Sequence, residues 1–240
     1  MNITHRNNVQ VAGSGPTTMV FAHGFGCDQN MWRLIAPAFQ DRYTTILFDH
    51  VGSGASDLAA YNRAKYAKLD GYASDVLEII EQHATGKVIF VGHSVSSMIG
   101  LLAAIKAPER FLAQIMIGPS PSYINDEGYT GGFSRLDIEE LLATIDSNYL
   151  GWSSAMAPAI MGAPDQPALA EELTNSFCRT DPEIAKHFAR VTFLSDHRAD
   201  LAKSNGADQD LVDALKDLRQ VDGPNGVMKE LKGELGGSTD

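Results

Sequence analysis

The stretch KVIFVGHSVSSMIGLL, residues 87–102, decides the fold class. It begins with an apolar run rich in β-branched and aromatic residues, turns at Gly92, and continues into apolar residues with helical spacing from Met98. A short buried strand that leads directly into a helix is typical of an α/β protein. The sharp turn between the two elements carries Gly92-His-Ser94-Val-Ser96, the only segment in which such a junction contains a hydroxyl nucleophile.

Three further apolar runs resemble the strand at 87–91. They span residues 18–22, 44–48 and 114–117, and each ends where Gly, Asp or Pro begins. Buried parallel strands have this composition. Helical spacing lies between them, at Tyr72, Val76, Ile79 and Ile80 with Asp70 as the predicted N-cap, and from Met98 to a stop before Pro108. The alternation predicts a mostly parallel sheet covered on both faces.

The alternation of strands and helices stops near residue 120. Residues 134–200 carry helical spacing interrupted by prolines, which predicts a helical lid over the ends of the sheet, or an ordinary helical subdomain with no gating role. The predicted organisation is therefore a core at 1–119, a helical lid at 120–200 and an atypical acidic tail at 201–240. Two short amphipathic helices separated by a turn at 223–226 are predicted in the tail.

Composition excludes several classes of partner. The 240 residues hold 19 Lys and Arg against 30 Asp and Glu, a formal net charge of −11, which disfavours nucleic acid and anionic membranes. No apolar run approaches the roughly 18 residues needed to span a bilayer, and the N-terminus lacks the pattern of a secretory signal. The two cysteines, Cys27 and Cys178, have no metal-ligand spacing. A cytoplasmic protein without metal or cofactor is predicted.

Ser94 is the candidate nucleophile. In a G-x-S-x-G-like turn between strand and helix, the backbone is strained and the serine hydroxyl projects above the sheet, where a base can deprotonate it. Small residues are needed around such a turn, and Ser96 replaces the last glycine with another small residue. The alternative is a chance Gly-His-Ser in an ordinary βα turn.

The glycine-rich segment His23-Gly-Phe-Gly26 follows the first predicted strand. Acyl transfer needs two backbone N–H donors aimed at the developing oxyanion, one after the nucleophile and one from such a loop. Phe25 and Val95 are the predicted oxyanion pair. Dinucleotide binding is the competing use of such a loop, but no G-x-G-x-x-G follows the strand.

These motifs carry a family resemblance. The chain closely resembles α/β-hydrolases of the RsbQ type, which include plant karrikin and strigolactone receptors, over about residues 1–201. The resemblance implies a hydrolase core with a four-helix cap, a closed apolar pocket, small hydrophobic esters or lactones as ligands, and a signalling partner such as a PAS-domain phosphatase involved in stress-response regulation. The matching blocks are residues 23–32 (HGFGCDQNMW), 47–57 (LFDHVGSGASD), 92–96 (GHSVS), 118–122 (GPSPS), 129–133 (YTGGF) and 194–198 (LSDHR).

Aromatic residues in or near the matching blocks are candidates for the lining of an apolar pocket. Ordinary core packing is the alternative for each of them. The candidates are Phe25, Tyr123, Phe133, Trp152 and Phe193.

The resemblance of the motifs ends at Ala202. Related enzymes continue into two more strands, an acid-bearing loop and a histidine loop, whereas here a polar tail follows and none of the seven histidines lies beyond His197. His197 is the candidate substitute base, with a solvated or capping role as the alternative. Because deleting the base of a comparable triad costs on the order of 10⁶ in kcat, turnover is predicted to be weak or absent. The alternatives are a weak serine hydrolase, a non-catalytic ligand-binding regulatory module, and a truncated product that folds poorly.

Overall fold

The computed structural model describes residues 2–203 and contains one sheet of five strands. The strands lie in the order β1-β3-β2-β4-β5, with β1 antiparallel to β3 and the other pairs parallel. Their bounds are β1 Gln10–Ala12, β2 Thr17–Ala22, β3 Tyr43–Phe48, β4 Val88–His93 and β5 Phe111–Ile117.

The four predicted strands are β2 to β5. β2 and β4 lie at the centre of the sheet and are buried on both faces, as a continuous apolar run predicts. Along β2, Val20 and Ala22 pack on one face while Met19 and Phe21 pack on the other. β1 was not predicted, because its three residues are exposed and carry no apolar pattern. Within residues 2–203, β5 pairs with β4 alone.

Two long helices cover one face of the sheet. They are α2, Leu69–His83, and α3, Val95–Lys106, and both contribute buried apolar residues to the main core. A four-residue helix, α1, Ile3–Arg6, precedes them in the chain. The predicted N-cap Asp70 is wrong: α2 begins one residue earlier, and Asp70 lies in its first turn.

A layer of four helices follows β5, and we call α4 to α7 the helical layer. Their bounds are α4 Arg135–Ser147, α5 Tyr149–Met161, α6 Pro167–Cys178 and α7 Pro182–Phe193, followed by the short α8, Arg198–Leu201. A second apolar core, which includes Ile138, Leu142 and Phe177, holds the helical layer together. α5 was not predicted, because apolar residues such as Leu150 and Ile160 lie on its exposed side as well and Pro158 lies inside it.

The predicted tail falls outside the described residues. The two amphipathic helices predicted after Lys203, and the proposed absence of the final hydrolase strands, both concern residues 204–240. The boundaries at 119 and 200 stay predictions. Among residues 2–203, no helix is long and apolar enough to cross a bilayer.

Candidate active site

Ser94 lies at the junction of β4 and α3 in a backbone conformation that serine rarely adopts. Its φ is 55° and its ψ is −123°. Its backbone N–H donates to the carbonyl of Ile117 at 2.8 Å, and its carbonyl accepts from Ser97 N–H at 2.9 Å. A Cβ at Gly92 would lie 2.6 Å from the carbonyl oxygen of Ser96, so the turn requires glycine there. This is the strained strand-to-helix turn that presents a nucleophilic hydroxyl.

The loop after β2 passes directly beside this turn. A Cβ at Gly24 would lie 2.5 Å from Nδ1 of His93 and 3.2 Å from Cβ of Ser94, so only glycine allows this approach. Val95 is the first residue of α3, where a helix leaves its N–H groups without intrahelical acceptors. Among residues 2–203, neither Phe25 N–H nor Val95 N–H has a protein acceptor. The structure thus places two free backbone donors on the two segments that meet at Ser94.

The side chain of Phe25 joins β2 to the helical layer. Its ring centroid lies 5.7 Å from Phe193, 5.8 Å from Phe188, 6.0 Å from Phe177 and 6.3 Å from Trp152. We call these five rings the aromatic cluster. Sequence reasoning assigned Phe177 and Phe188 only to helical periods, and no local signal distinguishes them from other core residues.

The remaining two pocket candidates differ in position. Tyr123 packs against Phe193, with ring centroids 5.1 Å apart. Burial raises the pKa of Tyr123, so its phenol stays protonated near neutral pH. Phe133 is 44% exposed and pairs through its backbone with Asn125 and Tyr123. Phe133 does not belong to the aromatic cluster, and its place in the lining of a pocket stays a prediction.

None of the seven histidines, all of which lie within residues 2–203, forms a hydrogen bond with Ser94. His197 uses Nδ1 to contact Oδ2 of Asp200 at 2.9 Å, and its backbone N–H donates to Pro121. It occupies the N-cap position of α8. These contacts are typical of a capping role, the alternative given above, and His197 as substitute base stays a prediction.

Three histidines lie in or near the strand-to-helix turn that carries Ser94. Burial lowers the pKa of His23, His50 and His93, and each is therefore neutral near pH 7. The nearby Cys27 is not a competing nucleophile, because burial raises the pKa of its thiol to about 12. Among residues 2–203, no group of three or more His, Cys, Asp or Glu side chains is placed to hold a metal ion.

Two surface clefts lie away from Ser94. One, of about 600 Å³, is bordered by Ile3, α2 and Arg110, and the other, of about 250 Å³, lies between Ser122 and Arg198. Neither is lined by Ser94 or Phe25. The closed apolar pocket that the resemblance implies stays a prediction.

Comparison with known proteins places the chain in a family. The model of the α/β-hydrolase fold matches residues 17–233. Karrikin insensitive 2 receptor CA from Petunia hybrida is 35% identical over 99% of this chain and 86% of its own length. Strigolactone esterase D14 from Arabidopsis thaliana is 37% identical over 99% of this chain and 87% of its own length. The similarity therefore continues beyond residue 201, where the matching motifs end.

Solved structures agree with this placement. A hydrolase from Oleispira antarctica superposes with a TM-score of 0.80 and 46% identity, over 83% of this chain and 74% of the other. A bromoperoxidase from Bacillus anthracis, 19% identical, shares the fold with a TM-score of 0.74 over 82% of this chain and 73% of its own. The chain belongs to the α/β-hydrolase fold family and is related to the plant strigolactone and karrikin esterase receptors.

Proposed function

We propose that this protein is a serine hydrolase that forms an acyl-enzyme with small apolar esters or lactones. Ser94 attacks the carbonyl carbon, and the N–H groups of Phe25 and Val95 hold the resulting oxyanion. The observation that carries the proposal is the backbone of Ser94, with φ of 55° and ψ of −123° at the end of β4. Strain of this kind costs about 1–3 kcal/mol and is found where a side chain must be presented for chemistry.

The substrate class follows from what surrounds Ser94. Phe25, from the loop after β2, packs against four aromatic rings of the helical layer. Such a lining favours an uncharged, apolar acyl group or ring, since burying a charged substrate there would carry a large desolvation cost. The names of the plant relatives, which describe esterases and receptors of strigolactone and karrikin type, point to the same class.

Slow turnover is the second part of the proposal. What supports slow turnover is that no histidine in residues 2–203 is bonded to the Ser94 hydroxyl. An oxyanion hole and a binding site alone leave roughly 10³- to 10⁴-fold acceleration over water. We therefore expect the acyl-enzyme to accumulate, because it hydrolyses more slowly than it forms. One equivalent of leaving group should be released first, and a slow steady state should follow.

The test is a burst experiment with p-nitrophenyl acetate. The full chain should release about one equivalent of phenolate per protein before the slow phase, and Ser94→Ala should abolish that phase. Ser74→Ala is the matched control, because Ser74 lies on the exposed face of α2 and donates only to the carbonyl of Asp70. Equal traces from the full chain and Ser94→Ala would overturn the hydrolase proposal.

The alternative function is a ligand-binding regulatory module without catalysis. It is favoured by the absence, in residues 2–203, of a histidine bonded to Ser94, and it keeps the aromatic cluster as the binding surface. A rise in melting temperature with an alkyl-substituted butenolide, without a burst that depends on Ser94, would identify this function. A PAS-domain phosphatase as signalling partner stays a prediction from the resemblance.

A further inference from the structure

A buried chain of hydrogen bonds connects the three loops behind Ser94. Its centre is Ser96, whose side chain is fully buried. Oγ of Ser96 lies 2.5 Å from the carbonyl oxygen of His23 and 2.8 Å from Nε2 of His50. The chain therefore joins the loop after β2, the loop after β3 and the first turn of α3. We call it the Ser96 link.

The direction of each hydrogen bond in the Ser96 link follows from the number of protons. A carbonyl oxygen only accepts, so the single hydroxyl proton of Ser96 goes to His23. Oγ must then accept from His50, which fixes the proton of that ring on Nε2. The ring of His23 has the opposite arrangement, because its Nε2 accepts from the backbone N–H of His50 at 3.0 Å and its Nδ1 donates to Gly24 O at 2.9 Å.

Packing alone does not explain His50. Its ring touches Phe48, Tyr72 and Phe188, surroundings that an aromatic hydrocarbon would fill equally well. Within residues 2–203, its Nδ1 is buried without a hydrogen-bond partner, which costs free energy. The polar contact that the ring makes in return is the one to Ser96.

The Ser96 link lies between the two proposed oxyanion donors. Ser96 follows Val95 directly, and His23 lies two residues before Phe25. A hydrogen bond from Ser96 to His23 therefore ties the segment that carries one donor to the segment that carries the other. Gly24 and Gly26, which flank Phe25, have no side chains of their own that could hold the loop backbone in place.

We propose that Ser96 and His50 are positioning residues that set the separation of the Phe25 and Val95 N–H groups. Ser96 supplies the direct tie, and His50 orients the Ser96 hydroxyl toward the His23 carbonyl. The proposal rests on the proposed function for its catalytic consequence, although the tie itself concerns the loop and is measurable without any substrate.

The expected catalytic effect is a slower acylation step. Losing an oxyanion donor outright costs about 10²- to 10³-fold, and a donor that is displaced rather than lost should cost less, roughly tenfold. Because the apolar contacts with the substrate remain, KM should stay within about twofold. A purely structural role would lower the amount of folded protein but leave the rate constant per active site unchanged.

The experiment compares four variants of the full chain. Ser96→Ala removes the tie, His50→Phe removes the donor but keeps an aromatic ring, and His50→Gln keeps an N–H in place of Nε2. Ser97→Ala is the matched control, because Ser97 is equally buried on the same turn but donates to Gly92 at 2.8 Å, away from the loop after β2. The readouts are the acylation rate constant per burst equivalent with p-nitrophenyl acetate, and amide hydrogen exchange of residues 24–26 by mass spectrometry.

Ser96→Ala and His50→Phe should acylate roughly tenfold more slowly and exchange amides 24–26 faster, while His50→Gln stays close to the unchanged chain. The proposal is overturned if both variants match Ser97→Ala in loop exchange. Should the unchanged chain show no burst that depends on Ser94, the hydrolase proposal fails, and loop exchange still decides the Ser96 link. If Ser96→Ala does not fold, the pair His50→Phe and His50→Gln carries the same comparison.

Discussion

Ser94 carries backbone strain that a glycine would not. A residue with a Cβ at φ of 55° and ψ of −123° is destabilised relative to glycine, which reaches this region freely. Two surrounding hydrogen bonds hold the residue there: its N–H donates to Ile117, and its carbonyl accepts from Ser97. The strain is thus maintained by the packing of β4, β5 and α3 together.

Ser94→Gly should therefore be more stable than the unchanged chain while losing the burst. We expect a gain of about 1 kcal/mol in the free energy of unfolding, since relief of strain exceeds the flexibility that glycine adds to the unfolded chain. Urea denaturation at pH 7.5 measures it. Ser94→Ala is the control, because alanine removes the hydroxyl and keeps the strain, and equal stability of the two variants would contradict the prediction.

At the scale of elements, Gly24 sets how closely the loop after β2 approaches the strand-to-helix turn. A methyl group there would meet the His93 ring at 2.5 Å and Ser94 Cβ at 3.2 Å. The loop and the turn would have to move apart, which separates the two oxyanion donors.

Gly24→Ala should lower the free energy of unfolding by about 1–3 kcal/mol, the usual cost of forcing extra volume into a packed site. It should also slow acylation. Gly86→Ala is the matched control, because a Cβ at Gly86 meets no atom within 4 Å. Urea denaturation and the burst assay give the two readouts, and a Gly24→Ala variant as stable as Gly86→Ala would show that the approach is looser than the structure indicates.

The elements that sequence reasoning predicted are those whose burial produces a pattern along the chain. Four strands carry continuous apolar runs, and α2 and α3 carry helical spacing that ends before a proline or a polar turn. β1 pairs through its backbone but leaves its side chains in solvent, so composition does not reveal it. α5 contains Pro158 and carries apolar residues on its exposed side as well, so its sequence shows no amphipathic pattern.

At the scale of the whole molecule, stability depends on pH through buried histidines. Burial lowers the pKa of His23, His50 and His93 from the usual value near 6.5. Below pH 6.5 the unfolded chain takes up protons that the folded chain does not, so the free energy of unfolding falls as the pH drops toward the folded pKa values. Above pH 6.5 these histidines do not make the free energy of unfolding depend on pH. Arg198 lowers the pKa values of Asp126 and Asp196, so these carboxylates change the free energy of unfolding only below about pH 4.

We expect the urea midpoint to be lower at pH 5.5 than at pH 7.5, with each histidine contributing at most about 1.4 kcal/mol per pH unit. His50→Gln should reduce this slope, because glutamine does not titrate. Stability that is the same at both pH values would show that the three rings accept protons in the folded state without penalty.

In the candidate site, as in the fold, some features are predictable from the local sequence and others arise only from packing between distant segments. Ser94 and Val95 are predictable because a strand, a sharp turn and a helix follow one another within a few residues. Phe25 is predictable because a glycine-rich segment follows a strand. Phe177 and Phe188 come to Phe25 only through packing of the helical layer, and the Ser96 link joins residues up to 73 positions apart. Long-range hydrogen bonds leave no periodicity, so nothing in the local sequence indicates them.

The contacts of Phe25 connect ligand entry to the assembly of the oxyanion hole. Phe25 supplies the proposed N–H donor through its backbone, and its ring packs against Trp152 of α5, Phe177 of α6 and Phe188 of α7. A displacement of those helices that makes room for a guest molecule would also move the Phe25 peptide, whose N–H is proposed to bind the oxyanion. Under the proposed function, we therefore expect a guest molecule that displaces these helices to weaken the binding of the oxyanion at Phe25.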